Sequence, residues 1–211
     1  MLLIDHTIKD FSALLASEAP APGGGSTAAL QGALGASLLK MVGHLTAGRK
    51  KYQEHESFIA ALIEETEKIR LEFLKVIDED TQAYNQVSAV FEMPKDTDEE
   101  KAARKTAMQE GLKACTKPPY KMLQLCEKAT DIAMDAMGKT NTNAASDFGV
   151  AALSLKAAAQ GAWLNILINI SAIEDTTFVE EYRAEGEAIL LNIIRSVDHV
   201  YQTVLKNLQE C

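Results

Sequence analysis

One carboxylate stands where a helical pattern calls for an apolar side chain. Between about Gln53 and Ala89 the residues Phe58, Leu62, Ile69, Phe73, Val76 and Val87 recur at intervals of three, four and seven or their sums, and continuing that stripe from Val76 meets Asp80 and then Tyr84. A carboxylate on a buried face costs several kcal/mol (order of magnitude) unless it is paired, hydrogen-bonded or neutral. Asp80 is therefore either a cap or hydrogen-bond partner for a neighbouring helix, or a group held ready for proton transfer. Asp78 and Glu79 beside it read as a solvated face.

A second concentration of polar chemistry runs from Lys139 through Thr140, Asn141, Asn143, Ser146 and Asp147 into an alanine-rich stretch. One of Asn143, Ser146 or Asp147 is expected to cap the helix that follows, and the remaining amides and carboxyl exceed what capping needs. Further along the same helix Asn165 and Asn169 lie one turn apart, where hydrogen bonds to partner helices are the plainer explanation. A third feature is Pro22-Gly23-Gly24-Gly25-Ser26 ahead of a helix. Glycines let backbone N–H groups approach a ligand and a helix N-terminus attracts anions, but the phosphate-loop spacing is missing and such linkers are common. The run Arg49-Lys50-Lys51 has the same double reading, a solvated helix end or an anion clamp. Cys115 and Cys126 read as packing residues, and the scattered histidines and three cysteines show no metal-binding or disulfide spacing.

The elements that position these groups are helices. Thr7 caps a short one reaching about Ser17, and the Pro/Gly loop ends it. Ser26 is expected to open a long helix of small and aliphatic residues to His44, in which Gly32, Ala36 and Gly43 permit close helix approach and Gly48 forms the terminal turn. The third helix, Gln53 to Ala89, would be ~50 Å long, which suits a bundle. Thr97 and Glu100 form a capping box for a fourth, expected to stop before Pro118-Pro119. Tyr120 to Met137 then form another, closed by Gly138. A second small-residue helix spans about Asn143 to Ala172, and a last one starts at Asp175 or Thr176.

With 211 residues the chain suits one domain, residues 1–211, and its alanine-rich composition with 6% aromatics and five prolines points to an all-α, multi-helical up-and-down bundle. The net charge of −9 argues against general nucleic-acid binding. No secretory signal is evident and no run approaches the ~20 apolar residues of a membrane helix, so no membrane partner and a cytoplasmic location are expected. Two helices rich in Ala and Gly offer more small-residue surface than one bundle obviously needs, which favours a dimer-forming protein while remaining compatible with a tight monomer core.

These pieces, in this order, resemble the formiminotransferase-cyclodeaminase C-terminal family, which includes stand-alone bacterial methenyltetrahydrofolate cyclohydrolases. The matching stretches are Pro20 to Ser26, Met41-Val42 with Leu45 to Tyr52, Asp80 to Tyr84, Met93-Pro94-Lys95, and Asn141 to Ala152 with Asn165 and Asn169. Residues 93–104 look more like the cyclohydrolase subgroup. Ala144-Ala145, Phe148 and Arg49 depart from the usual residues, without removing a candidate catalytic group.

The resemblance implies a homodimeric helical bundle acting on one-carbon tetrahydrofolates with no metal or other cofactor. Its implied reaction is reversible hydrolysis of 5,10-methenyltetrahydrofolate to 10-formyltetrahydrofolate. Asp80 or Asp147 would be the base, with Tyr84 and Lys139 orienting water or the developing oxyanion. Gly23, Gly24, Gly25 and Ser26, with Arg49, Lys50 and Lys51, would hold the anionic glutamate portion. Asn141, Asn143, Asn165 and Asn169 would contact the pterin, and Thr46 and Ser146 belong to the same binding set. The alternatives are cyclodeaminase chemistry, closing the 5-formimino substrate with release of ammonia, and a non-catalytic folate-binding helical dimer.

Overall fold

The computed structural model of the protein describes residues 2–210, and every regular element among them is a helix. Its α-helices are α1 (Ile8–Leu15), α2 (Gly24–Thr46), α3 (Glu56–Val90), α4 (Asp98–Ala136), α5 (Ala145–Ile170) and α6 (Thr176–Gln209), with short 3₁₀ turns at Leu3–Asp5, Lys50–His55 and Thr142–Ala144. The starts follow from local chemistry. Thr7 accepts from the Asp10 N–H at 3.1 Å, Thr97 and Glu100 cap each other reciprocally, and Asp175 accepts from Phe178. Gly48 and Gly138, at φ +70° and +75°, take the left-handed conformation as the chain leaves α2 and α4.

The α2 helix begins at Gly24, two residues before Ser26, with Gly23 as its cap position. It lies between α3 and α5 and is buried on most of its surface. Close approach depends on missing side chains: a Cβ at Gly32 would collide with the Phe73 ring, and one at Gly161 would come within 2.9 Å of the Ala28 Cβ. Gly24 faces Asn165, Ala28 faces Gly161 and Gly35 faces Leu155, so α2 and α5 run antiparallel. By length and composition α5 could cross a membrane, a property not anticipated above; here it packs against α2, α4 and α6.

The expected break at Pro118-Pro119 does not occur, and α4 is continuous from Asp98 to Ala136. A proline has no N–H, so Pro118 and Pro119 leave the carbonyls of Ala114 and Cys115 without their usual helical donors. Asn169 of α5 replaces one of them: its Nδ2 donates to the Cys115 carbonyl at 2.9 Å. Both prolines are buried, so packing stabilises the helix that their backbone weakens.

Candidate functional site

The N-terminus of α2 meets the C-terminal half of α3 at Asp80. The carboxylate occupies the space where Gly25 would carry a Cβ, so the close approach requires glycine at that position. Ser26 is fully buried; its hydroxyl lies 3.0 Å from the Ile77 carbonyl, 3.3 Å from Asp80 Oδ2 and 3.1 Å from Thr81 Oγ1, and its backbone N–H donates to Asp80. Both sequence-level readings of Asp80 therefore meet in one geometry: it hydrogen-bonds a neighbouring helix, and it faces a cavity. Burial pushes its carboxyl above the ordinary range, and the hydrogen bonds from Ser26 oppose that without cancelling it.

That cavity has a volume of about 350 Å³. Pro20, Ala21, Gly23, Gly24 and Gly25 form one wall, Asp80, Thr81 and Tyr84 another, and Cys115, Asn165, Ile168 and Asn169 the rest. Asn165 and Asn169 each donate through Nδ2 to a backbone carbonyl, of Gly161 at 2.8 Å and Cys115 at 2.9 Å. Their amides are thereby fixed in orientation, which leaves the side-chain oxygens as acceptors for a ligand. Tyr84 is exposed, at the cavity's edge, rather than buried on the stripe; Ile59, not Phe58, fills the fully buried position near the start of α3. Burial and the Asp80 charge push the Cys115 thiol up to about 11, so it lines the cavity as a neutral group. Thr81, Cys115 and Ile168 are cavity residues that sequence reasoning missed. Thr81 alone had a signal, its place one residue after a carboxylate on a buried face.

The other expected site residues gather at the opposite end of α2, about 33 Å from Gly24 at ~1.5 Å per residue. There the Asn141 N–H donates to Thr46 Oγ1 and its Nδ2 to the Leu45 carbonyl, both at 2.9 Å. Asn141 also accepts from the Asn143 N–H at 3.1 Å, while Thr46 donates to Val42 at 2.7 Å. These groups pin the turn between α4 and α5 to the end of α2. Asn143 and Ser146 are exposed, and Asp147 is half-buried in the first turn of α5. Lys139 lies over the Phe58 ring, 4.6 Å from its centroid, and Lys51 lies 5.3 Å from that of Tyr52. Arg49 and Lys50 border a surface depression with Gln53 and Glu56. Within one chain, then, the helices do not bring the two polar motifs close together; they hold them at opposite ends. Asp78 also differs from expectation: its Oδ1 accepts the Leu3 N–H at 2.6 Å, and Glu79 pairs with Lys121.

The sequence profile described as formiminotransferase-cyclodeaminase matches residues 7–188. The chain belongs to the formiminotransferase-cyclodeaminase family. Among family relatives, the methenyltetrahydrofolate cyclohydrolase of Methylorubrum extorquens is 40% identical over 200 residues, covering 95% of this chain and 96% of its own. The formimidoyltransferase-cyclodeaminase of Rattus norvegicus is 31% identical over 188 residues, which are 89% of this chain and 35% of that longer protein. The crystal structure of formiminotetrahydrofolate cyclodeaminase from Thermotoga maritima superposes with a TM-score of 0.80 at 26% identity, covering 98% of this chain and 97% of the other.

Proposed function

We propose that the protein is a methenyltetrahydrofolate cyclohydrolase, catalysing reversible hydrolysis of 5,10-methenyltetrahydrofolate to 10-formyltetrahydrofolate. The observation that carries this reading is the Asp80 carboxylate, held by Ser26 beside a cavity of about 350 Å³. Near-full-length similarity to a stand-alone cyclohydrolase supports it over the longer bifunctional relatives.

The substrate's amidinium carbon is already electrophilic, so the protein needs to orient water, remove a proton and protonate a leaving nitrogen. Water attacks that carbon and Asp80 takes one of its protons. The bond from the carbon to the ring nitrogen then breaks as the nitrogen takes from Asp80 the proton that it had removed; the water oxygen becomes the formyl oxygen, and the second water proton passes to solvent, which leaves Asp80 ionised again. Ionised Asp80 also offsets the substrate's positive charge before attack. Tyr84 orients the water, and the side-chain oxygens of Asn165 and Asn169 hold the pterin edge. Within one chain Lys139, Asp147, Arg49, Lys50, Lys51, Asn143 and Ser146 lie at the far end of α2 from Asp80, so no step at the amidinium carbon is assigned to them. Thr46 and Asn141 shape that region through their mutual hydrogen bonds.

A second reading is cyclodeaminase chemistry at the same cavity, favoured by the structural similarity to the Thermotoga maritima protein. We further read the protein as a soluble cytoplasmic homodimer, supported by the apolar outer side chains of α2 and α5. Loss of methenyl absorbance on adding enzyme, run beside ammonia release from 5-formiminotetrahydrofolate, separates the two activities.

A further inference from the structure

Ser26 has no exposed surface, so its hydroxyl meets no ligand directly; it meets three other oxygens. The Ile77 carbonyl lies 3.0 Å away, Thr81 Oγ1 3.1 Å and Asp80 Oδ2 3.3 Å. A serine hydroxyl has one hydrogen and two lone pairs, so it donates to one of these at a time. The Ile77 carbonyl and an ionised Asp80 only accept, which leaves Thr81 as the partner that can supply a hydrogen. Thr46, Thr66 and Thr116 each donate to the carbonyl four residues earlier in their own helix. At Thr81 that carbonyl belongs to Ile77 and is engaged by Ser26 from α2, and the Thr81 hydroxyl pairs with Ser26 instead.

Two arrangements of hydrogens satisfy this cluster, and they differ by the proton on Asp80. With Asp80 ionised, Thr81 donates to Ser26 and Ser26 to Asp80, a charge-assisted bond stronger than one to an amide carbonyl. With Asp80 protonated, the Ile77 carbonyl is the nearer and better acceptor. We propose that Ser26 is a positioning residue that switches its hydrogen bond between Asp80 and the Ile77 carbonyl as Asp80 takes up and returns its proton, with Thr81 donating to Ser26 in both states. Ser26 rotates about its own C–O bond and keeps its own hydrogen throughout. A partly desolvated carboxylate is thereby favoured in its ionised form between turnovers and released from that bond once it carries the proton. Among the residues lining the cavity, Cys115 of α4 and Tyr84 of α3 are the other titratable groups; α5 contributes Asn165, Ile168 and Asn169, and the start of α2 with the loop before it contributes none. On α3 itself Asp78 is engaged by the Leu3 N–H and Glu79 by Lys121. Use of the switch in turnover rests on the cyclohydrolase reading; the hydrogen-bond exchange does not.

The test reads the Asp80 proton directly. The carboxyl carbon resonance that Asp80→Asn removes is titrated by carbon NMR in wild type and in Ser26→Ala, Thr81→Val and Thr81→Ser chains, each checked for folding by circular dichroism. Ser26→Ala keeps the backbone N–H that donates to Asp80 and loses only the hydroxyl. It is expected to raise the Asp80 midpoint by about one pH unit, a tenfold change in proton affinity. Thr81→Val is expected to raise it by less, because Ser26 keeps its bond to Asp80 but loses the polarisation from Thr81, and Thr81→Ser to return it to the wild-type value. The acid limb of kcat/KM for methenyltetrahydrofolate is expected to move in the same order. An unmoved midpoint in Ser26→Ala, with any loss of activity equal at every pH, shows a merely structural hydroxyl and overturns the proposal. An unmoved or lowered midpoint in Thr81→Val overturns it as well, since Thr81 is then not donating to Ser26. If Ser26→Ala does not fold, the two Thr81 chains carry the same decision. An inactive wild type in which the midpoints still move rejects the cyclohydrolase reading and leaves the switch standing.

Discussion

The carboxylate of Asp80 fills the position that a side chain on Gly25 would occupy, and Ser26 beside that glycine holds it there. Substitution of Gly25 by alanine must displace Asp80 or the start of α2. Displacement of a catalytic group by ~1 Å is worth about 10²-fold in rate. Gly25→Ala is expected to lose about that much kcat while remaining folded by circular dichroism.

The raised pKa of Asp80 gives stability a direction with pH. Its folded-state carboxyl holds a proton more tightly than the unfolded chain does, so its contribution is fully present below the ordinary carboxylate range and is lost as pH rises through the folded pKa. At neutral pH the ionised, partly desolvated group opposes folding. Asp80→Asn is expected to unfold at a higher urea concentration than wild type at pH 7, with the advantage fading as the pH falls toward 4. Urea midpoints across that range check the sign.

Asn169 supplies the donor that Pro119 denies to the Cys115 carbonyl. Removing one partner of a buried hydrogen bond costs about 1–3 kcal/mol. Asn169→Ala is expected to lose stability of that order in urea unfolding, and to weaken substrate binding as well, because the same amide lines the cavity.

Thr130 poses the opposite case. Its hydroxyl is buried among apolar side chains in α4 without a hydrogen-bond partner among the described residues. Replacing an unsatisfied polar atom with a methyl of similar shape removes a desolvation penalty. Thr130→Val is expected to match or exceed wild-type stability, by up to about 1 kcal/mol, with unchanged turnover.

Local signals were readable in the chain because they act within a few residues. The capping box at Thr97 and Glu100, the cap at Thr7, and the terminal glycines at 48 and 138 all formed as expected. Asp80 was legible through its misfit with the apolar stripe. The continuity of α4 was not, because the group that tolerates Pro119 comes from Asn169, fifty residues later in the chain. The separation of the two polar motifs was available as arithmetic: Gly24 and Thr46 end the same rigid 23-residue helix. Their order in sequence matched a family pattern, but a rigid helix keeps apart what that pattern lists side by side. Tyr84 shows the remaining limit, since a helical period gives a residue's angle and not where the bundle ends, and there the stripe runs out into an open cavity.

Hydrolysis of 5,10-methenyltetrahydrofolate by wild type and Asp80→Asn, followed as loss of methenyl absorbance at neutral pH, tests the central claim most directly. Wild type is expected to accelerate the loss well above the buffer rate, and Asp80→Asn to be slower by about 10²–10⁴-fold, the range of a positioned general base. Equal rates for the folded variant and wild type, or no acceleration by wild type, would contradict the account.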